Sequence, residues 1–303
     1  MKKKKWVAAK RYLPLYFLAL PSLLYLLINN YIPMAGVIIA FKNINLKEGI
    51  LNSPWCGFDN FKYLFATKDA FVITRNTILY NLAFIVFGTI FSITLALFLS
   101  ELKSKKMSKF YQTVVLFPYL VSMIIVSYLV YAFLSENTGF LNNTILPALG
   151  LEKYAWYSKT KYWPFILVFL KLWKQTGYGS IVYLAAITGL DQEMFEAASI
   201  DGANKWQQFT RISLPLLKPT TVYVLTISIY AGLAMFNESY MLWKGNNSPQ
   251  NIGLTIVGYL YRQGIEKRAM GYACAVGLVL LVIVMIVNMI QLAATGTFKK
   301  EER

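Results

Sequence analysis

The chain has 303 residues, of which 57% are hydrophobic and 15% charged, and a formal net charge of +16. A soluble protein of that length has too little interior to bury so much apolar surface, whereas lipid sets no such limit. The lack of any histidine excludes histidine-based triads and most zinc and non-haem iron sites, and no phosphate-cradling glycine loop occurs in the sequence.

Six stretches are apolar enough over about 20 residues to cross a bilayer as helices, which satisfy their own backbone polar groups in lipid. The first, 13–31, follows Lys2–Lys5, Lys10 and Arg11 as a secretory signal would, but no small-x-small cleavage site comes after it, which favours an uncleaved span. Next come 77–100 and 111–134, joined by a short linker with four lysines. The fourth is 164–190, the fifth 219–243 and the sixth 270–295. The sequence thus predicts an all-α integral membrane protein, one domain of six transmembrane helices over 1–303. Asn81 and Asn288, lone polar residues within spans, read as interhelical hydrogen-bonding groups, and Gly177, Gly179 and Gly232 as close helix contacts.

The basic excess sits beside the apolar blocks and not on a face interleaved with stacking aromatics, so it points to membrane orientation and not to nucleic acid. One set of connections (1–11, 101–109, 191–218, 297–303) carries 16 Lys plus Arg in 55 residues, and the other (42–76, 135–163, 244–269) carries 12 in 90. The denser side faces the cytoplasm, which puts both termini inside. The outer loops hold Trp55, Phe58, Phe61, Tyr63, Trp156, Tyr157 and Trp163, part of them an interfacial aromatic belt. Cys56 and Cys274 are too far apart and too few for a disulfide framework.

The connection 191–218 has helix punctuation of its own. Asp191 is an N-cap, Glu193 complements the first turn, and Gly202 fits a C-terminal cap with positive φ. Trp206, Phe209 and Ile212 then recur every third residue, an apolar stripe to anchor a second short helix, which Pro215 and Pro219 end. The first helix presents Ala197 and Ala198, small enough for close approach, beside Glu196, a carboxylate available to a basic partner. A hairpin of this kind either docks a partner or lies on the headgroups as an amphipathic connector.

The spacing resembles the signature loop of the membrane components of binding-protein-dependent ABC importers: Glu196-Ala197-Ala198, three residues, Gly202, nine residues, then Ile212-Ser213-Leu214-Pro215. Seven fixed positions across 20 residues match without departure. Pro33-Met34-Ala35-Gly36, Gly57-Phe58-Asp59-Asn60-Phe61 and Phe117-Pro118 look like the polysaccharide-type permeases of the sugar-importer branch, and Gly253-Leu254-Thr255 like its oligosaccharide group. The resemblance implies that Glu196, Ala197, Ala198 and Gly202 couple to a separate ATPase while Ile212, Leu214 and Pro215 hold the hairpin to the bundle. It also implies a second permease subunit (a hetero-dimer), two ATPase subunits that bind ATP and magnesium, an extracellular solute-binding protein and an oligosaccharide cargo, with no cofactor or chemistry in this chain. A non-glycan cargo such as a phosphorylated polyol is the alternative within the family. A secondary transporter, which would show repeated halves and interrupted helices, is the alternative outside it, and a membrane-embedded enzyme lacks a convincing acid–base cluster.

Polar residues at membrane depth mark candidates for the substrate path. Counted inward from Pro164 at about 1.5 Å per residue, Lys171 lies ~10 Å and Lys174 ~15 Å deep, and a lysine near the bilayer centre costs about 2.5–3.5 kcal/mol unless paired or wetted. Trp173, Lys174, Asn237, Glu238 and Tyr240 are expected to border a polar cavity, rings stacking on sugar faces. The competing reading is a structural Lys174–Glu238 pair that orders two helices.

Overall fold

A computed structural model describes residues 2–233, 235–243 and 251–296; for residues 2–11 and Asn237 it describes the backbone alone. Parts of the two sets of charged connections, 244–250 and 297–303, therefore lie outside the described residues. Apart from one isolated bridge between Lys42 and Trp55, the regular structure of the described residues is helical.

The chain forms two compact units. One comprises residues 2–66 and 262–278. It begins with α1 (Lys2–Leu26), which continues through a π turn and a 3-10 segment to Phe41. Every side chain from Tyr12 to Ala35 is exposed within the chain, as befits a helix surrounded by lipid or by another subunit. Beyond it the loop is pinned by a buried lysine, Lys42, whose Nζ donates to the carbonyls of Ile50 and Leu51. Asn60 donates to the carbonyls of Ala40 and Lys42, and Phe41, Phe58 and Phe61 form a ring cluster.

The second unit comprises the described residues of 67–261 and 279–296. Its centre is α2 (Lys68–Ser100) lying along α5 (Trp163–Thr188), with α3 (Lys105–Leu120) against α5 and α8 (Lys218–Leu233) against α2. The glycines mark the close contacts as expected: a Cβ on Gly177 of α5 would collide with the Val115 carbonyl of α3, and one on Gly232 of α8 with Asn81 of α2. The last helix, α10 (Met270–Ala294), supplies residues to both units.

Three runs, Tyr12–Phe41, Lys68–Ser100 and Met270–Ala294, are by length and composition apolar enough to cross a membrane. α5, with 26 residues, is about 39 Å long at 1.5 Å per residue, but carries Lys171 and Lys174 near its middle. The expected third and fifth spans are not straight crossings. α3 turns by 89° into α4 (Met123–Leu134) at the extended residues Val121 and Ser122, and α8 stops at Leu233, after which α9 (Asn237–Leu242) begins. Non-helical backbone at membrane depth persists only where protein or a wet cavity satisfies it, and here side chains do so. Lys174 Nζ donates to the Pro118 and Val121 carbonyls, Thr255 Oγ1 to the Met235 carbonyl at 2.5 Å, and Asn81 Nδ2 to the Ile229 carbonyl at 3.2 Å.

Three π turns stand immediately before an X-Pro pair: Leu27–Tyr31, Leu141–Ile145 and Phe209–Ser213, ahead of Pro33, Pro147 and Pro215. Proline lacks the N–H and its ring presses on the carbonyl one turn back; the wider turn relieves that clash, so the helix continues. Pro215 therefore does not end the hairpin's second helix, contrary to expectation. Of the candidate belt aromatics, Trp163 is fully buried against Trp243, ring centroids 4.2 Å apart, whereas Trp55 and Phe58 are exposed. One other expectation is corrected. Asn81 bonds across to α8, but Asn288 donates to the Val284 carbonyl of its own helix.

Candidate functional site

The hairpin 191–217 is built by local rules. α6 (Gln192–Ile200) starts where Asp191 accepts the Glu193 N–H at 3.0 Å. It ends in two reversed bonds, Gly202 N–H to the Ser199 carbonyl and Ala203 N–H to the Ala198 carbonyl, with Gly202 at φ +80°; this pattern needs a left-handed residue just past the helix. Asn204 and Gln207 then cap each other reciprocally to open α7 (Lys205–Gln208), which runs on through the π turn to Leu216. Buried Gln208 reaches back to Ser199 Oγ and the Ala203 carbonyl and ties the two arms together.

α6 keeps Glu196 and Ala197 exposed and Ala198 half-buried. Glu196 makes no ion pair among the described residues. The anchoring differs from expectation. Trp206 is 70% exposed, and Leu214 and Pro215 are exposed as well, while Ile212 is half-buried. Phe209 does pack against a buried cluster as expected, but the fully buried member on the hairpin is Leu217, beside Tyr183 and Leu184, and the exposed Lys205–Glu101 ion pair ties the hairpin to the end of α2. Behind it lies a cavity of about 970 Å³ bordered by Phe98, Thr188, Phe195 and Phe209. Replacing Gly202 by alanine is expected to cost about 1–2 kcal/mol, because a Cβ opposes the left-handed backbone. Faster hydrogen exchange at the Gly202 and Ala203 amides reads that loss, and unchanged exchange would show that the cap does not hold the turn.

Deeper in the unit, α2, α5 and α8, with Tyr119 of α3, border a pocket of about 260 Å³, open on the side where Tyr178 and Tyr223 are exposed, just below the ~300 Å³ at which ligand clefts usually begin. From α5 it receives Lys171, Gln175, Tyr178 and Val182, spaced as one helical face. Tyr119 and Tyr178 stack with centroids 4.8 Å apart, and α8 adds Tyr223 and Ser228.

The nearly buried ion pair is made by Lys171, not by Lys174. Lys171 Nζ bonds Glu238 Oε1 at 2.5 Å, with the two side chains 8% and 15% exposed, and lies 5.7 Å over the Phe84 ring. Lys174 serves the α3–α4 break. Of the other path candidates, Trp173 is partly exposed on a different face of α5, and Tyr240 stacks on Phe236 and meets Tyr261 edge to face; neither lines the pocket among its described residues. Asn237 opens α9, and its side chain lies outside the described residues. Gln175 and Tyr178 were missed, although their places four and seven residues after Lys171 were a readable signal; Tyr119 and Tyr223 come from other helices and left none.

Bundled apolar helices carrying an exposed helical hairpin are the architecture of an integral membrane protein. The chain belongs to the family described as binding-protein-dependent transport system inner membrane component, which matches residues 88–295; it is a multi-pass protein of the bacterial plasma membrane. It is 37% identical over 287 residues to the arabinooligosaccharides transport system permease protein AraP of Bacillus subtilis (strain 168), covering 94% of this chain and 90% of that protein. Its fold is similar to the crystal structure of a bacterial ABC transporter involved in the import of the acidic polysaccharide alginate, with a TM-score of 0.83 and 31% identity over 98% of this chain and 100% of that one. It is likewise similar to a bacterial alginate ABC transporter in complex with alginate pentasaccharide-bound periplasmic protein, with a TM-score of 0.84 and 32% identity over 97% of this chain and 98% of that one.

Proposed function

We propose that this chain is a permease subunit of an ATP-driven importer and passes an oligosaccharide through the pocket between α2, α5 and α8. The observation that carries the reading is the continuity of α5: one helix lines the pocket with Lys171, Gln175 and Tyr178 and leads within four residues into α6. A push on Glu196, Ala197 and Ala198 is therefore delivered to the pocket wall. In this reading both termini face the cytoplasm, the chain crosses six times, with the bent α3–α4 pair as one crossing and α8 with α9 as another, and 1–303 works as one permease domain. A separate ATPase pair binds ATP and magnesium and docks on the hairpin, a second permease subunit faces the open side where Tyr178 and Tyr223 are exposed, and a binding protein delivers cargo from outside. The names of AraP and of the alginate importers support a glycan cargo. Gly202 holds the hairpin's turn in this mechanism, and Ile212, Leu214 and Pro215 supply its supporting arm.

Stacked tyrosines offer flat apolar faces to a sugar ring while amide and hydroxyl groups meet its hydroxyls. Tyr178→Ala is expected to raise the oligosaccharide concentration for half-maximal uptake about tenfold, the upper end of what one aromatic contact contributes, while the complex still assembles. Unchanged half-saturation in an assembled complex would remove the pocket from the transport path.

A further inference from the structure

Arabinooligosaccharides are neutral and alginate is acidic, so similarity leaves the charge of this chain's cargo open. The pocket itself carries the answer. We infer that it accepts an uncharged sugar ring and discriminates against a uronate. The inference rests on the oligosaccharide reading above and adds the charge class to it.

Lys171 is the one charged side chain among the described residues that line the pocket. Its ammonium is already committed to Glu238, at 2.5 Å and almost fully out of solvent. The neighbouring cation, Lys174, gives its protons to the main-chain carbonyls of Pro118 and Val121 and is not part of the lining. The part of the lining that the described residues of this chain supply thus presents no free positive charge. An ionised carboxylate brought to this depth needs a counter-charge in direct contact. A uronate could find one only by taking Lys171 from Glu238, which would strand a second carboxylate beside the first, and two carboxylates contending for one ammonium repel each other.

A neutral ring meets no such obstacle. Its apolar face fits Tyr178 and Tyr223, and its hydroxyls fit Gln175 and Ser228, whose side chains make no hydrogen bond among the described residues. Lys171 keeps two further N–H donors to offer a hydroxyl or ring oxygen without leaving its partner.

The test is calorimetric titration of the assembled transporter in lipid nanodiscs with arabinotriose and with trigalacturonate. Wild type is expected to bind arabinotriose at least about tenfold more tightly, a ratio well within what an unpaired charge at a buried site supplies. Glu238→Gln removes the competing carboxylate yet leaves an amide oxygen for Lys171, so it is expected to improve trigalacturonate binding severalfold. A smaller wild-type preference, or the reverse order, overturns the charge assignment and leaves the oligosaccharide reading standing. A folded Glu238→Gln transporter with no gain for trigalacturonate overturns it too. Binding of neither sugar overturns both readings together.

Discussion

Glu238→Ala is expected to destabilise the protein by about 3–5 kcal/mol, the cost of leaving a buried ion without its partner. The pair is almost excluded from solvent, and the stranded Lys171 would keep only the Phe84 ring, 5.7 Å away, which compensates for a small part of a lost carboxylate. Lys171→Met is expected to harm the protein similarly from the other side. The double replacement, Lys171→Met with Glu238→Leu, should recover most of the loss, since a buried pair exchanged for apolar residues of similar size is often neutral or stabilising. Thermal unfolding of the solubilised complex reads all three. Additive losses in the double variant would show that Lys171 and Glu238 are not a coupled pair.

Glu196→Lys is expected to abolish substrate-stimulated ATP hydrolysis, a fall of more than about tenfold, while the permease keeps its fold. Glu196 is exposed and its side chain makes no hydrogen bond or ion pair among the described residues; its reversal matters only to a docked partner. Truncating a buried interfacial charge costs about 2–5 kcal/mol, and a lysine facing a basic surface adds repulsion. ATP hydrolysis by the assembled complex and the unfolding midpoint of the isolated chain separate the two effects. Normal stimulation in the variant would remove Glu196 from the docking surface.

The hairpin was legible in the sequence because its determinants are local. Asp191 caps within two residues and Gly202 supplies the one left-handed backbone, both read from the sequence, whereas the equally local Asn204–Gln207 box is added by the structure. The breaks at Val121–Ser122 and after Leu233 were not legible, since apolar composition runs through both and the groups that satisfy the freed carbonyls come from far along the chain. Lys174, Thr255 and Asn81 decide them. The ion pair was half legible. Two lysines three residues apart share a helix face, and only the packed register of α5 chooses Lys171. Trp206 misled for the opposite reason: its spacing with Phe209 and Ile212 suits an apolar stripe, but the π turn at Phe209–Ser213 shifts the face, and Leu217 takes the buried place.

We propose that ATP hydrolysis in a partner subunit drives sugar movement through this chain. Proteoliposomes containing the purified transporter, with a labelled neutral oligosaccharide delivered by the binding protein on one side and ATP supplied on the other, test it most directly. Uptake is expected to require ATP and to fall to background when ATP is depleted. Uptake that continues at the same rate without ATP, or a transporter active with no ATPase subunit present, would contradict it.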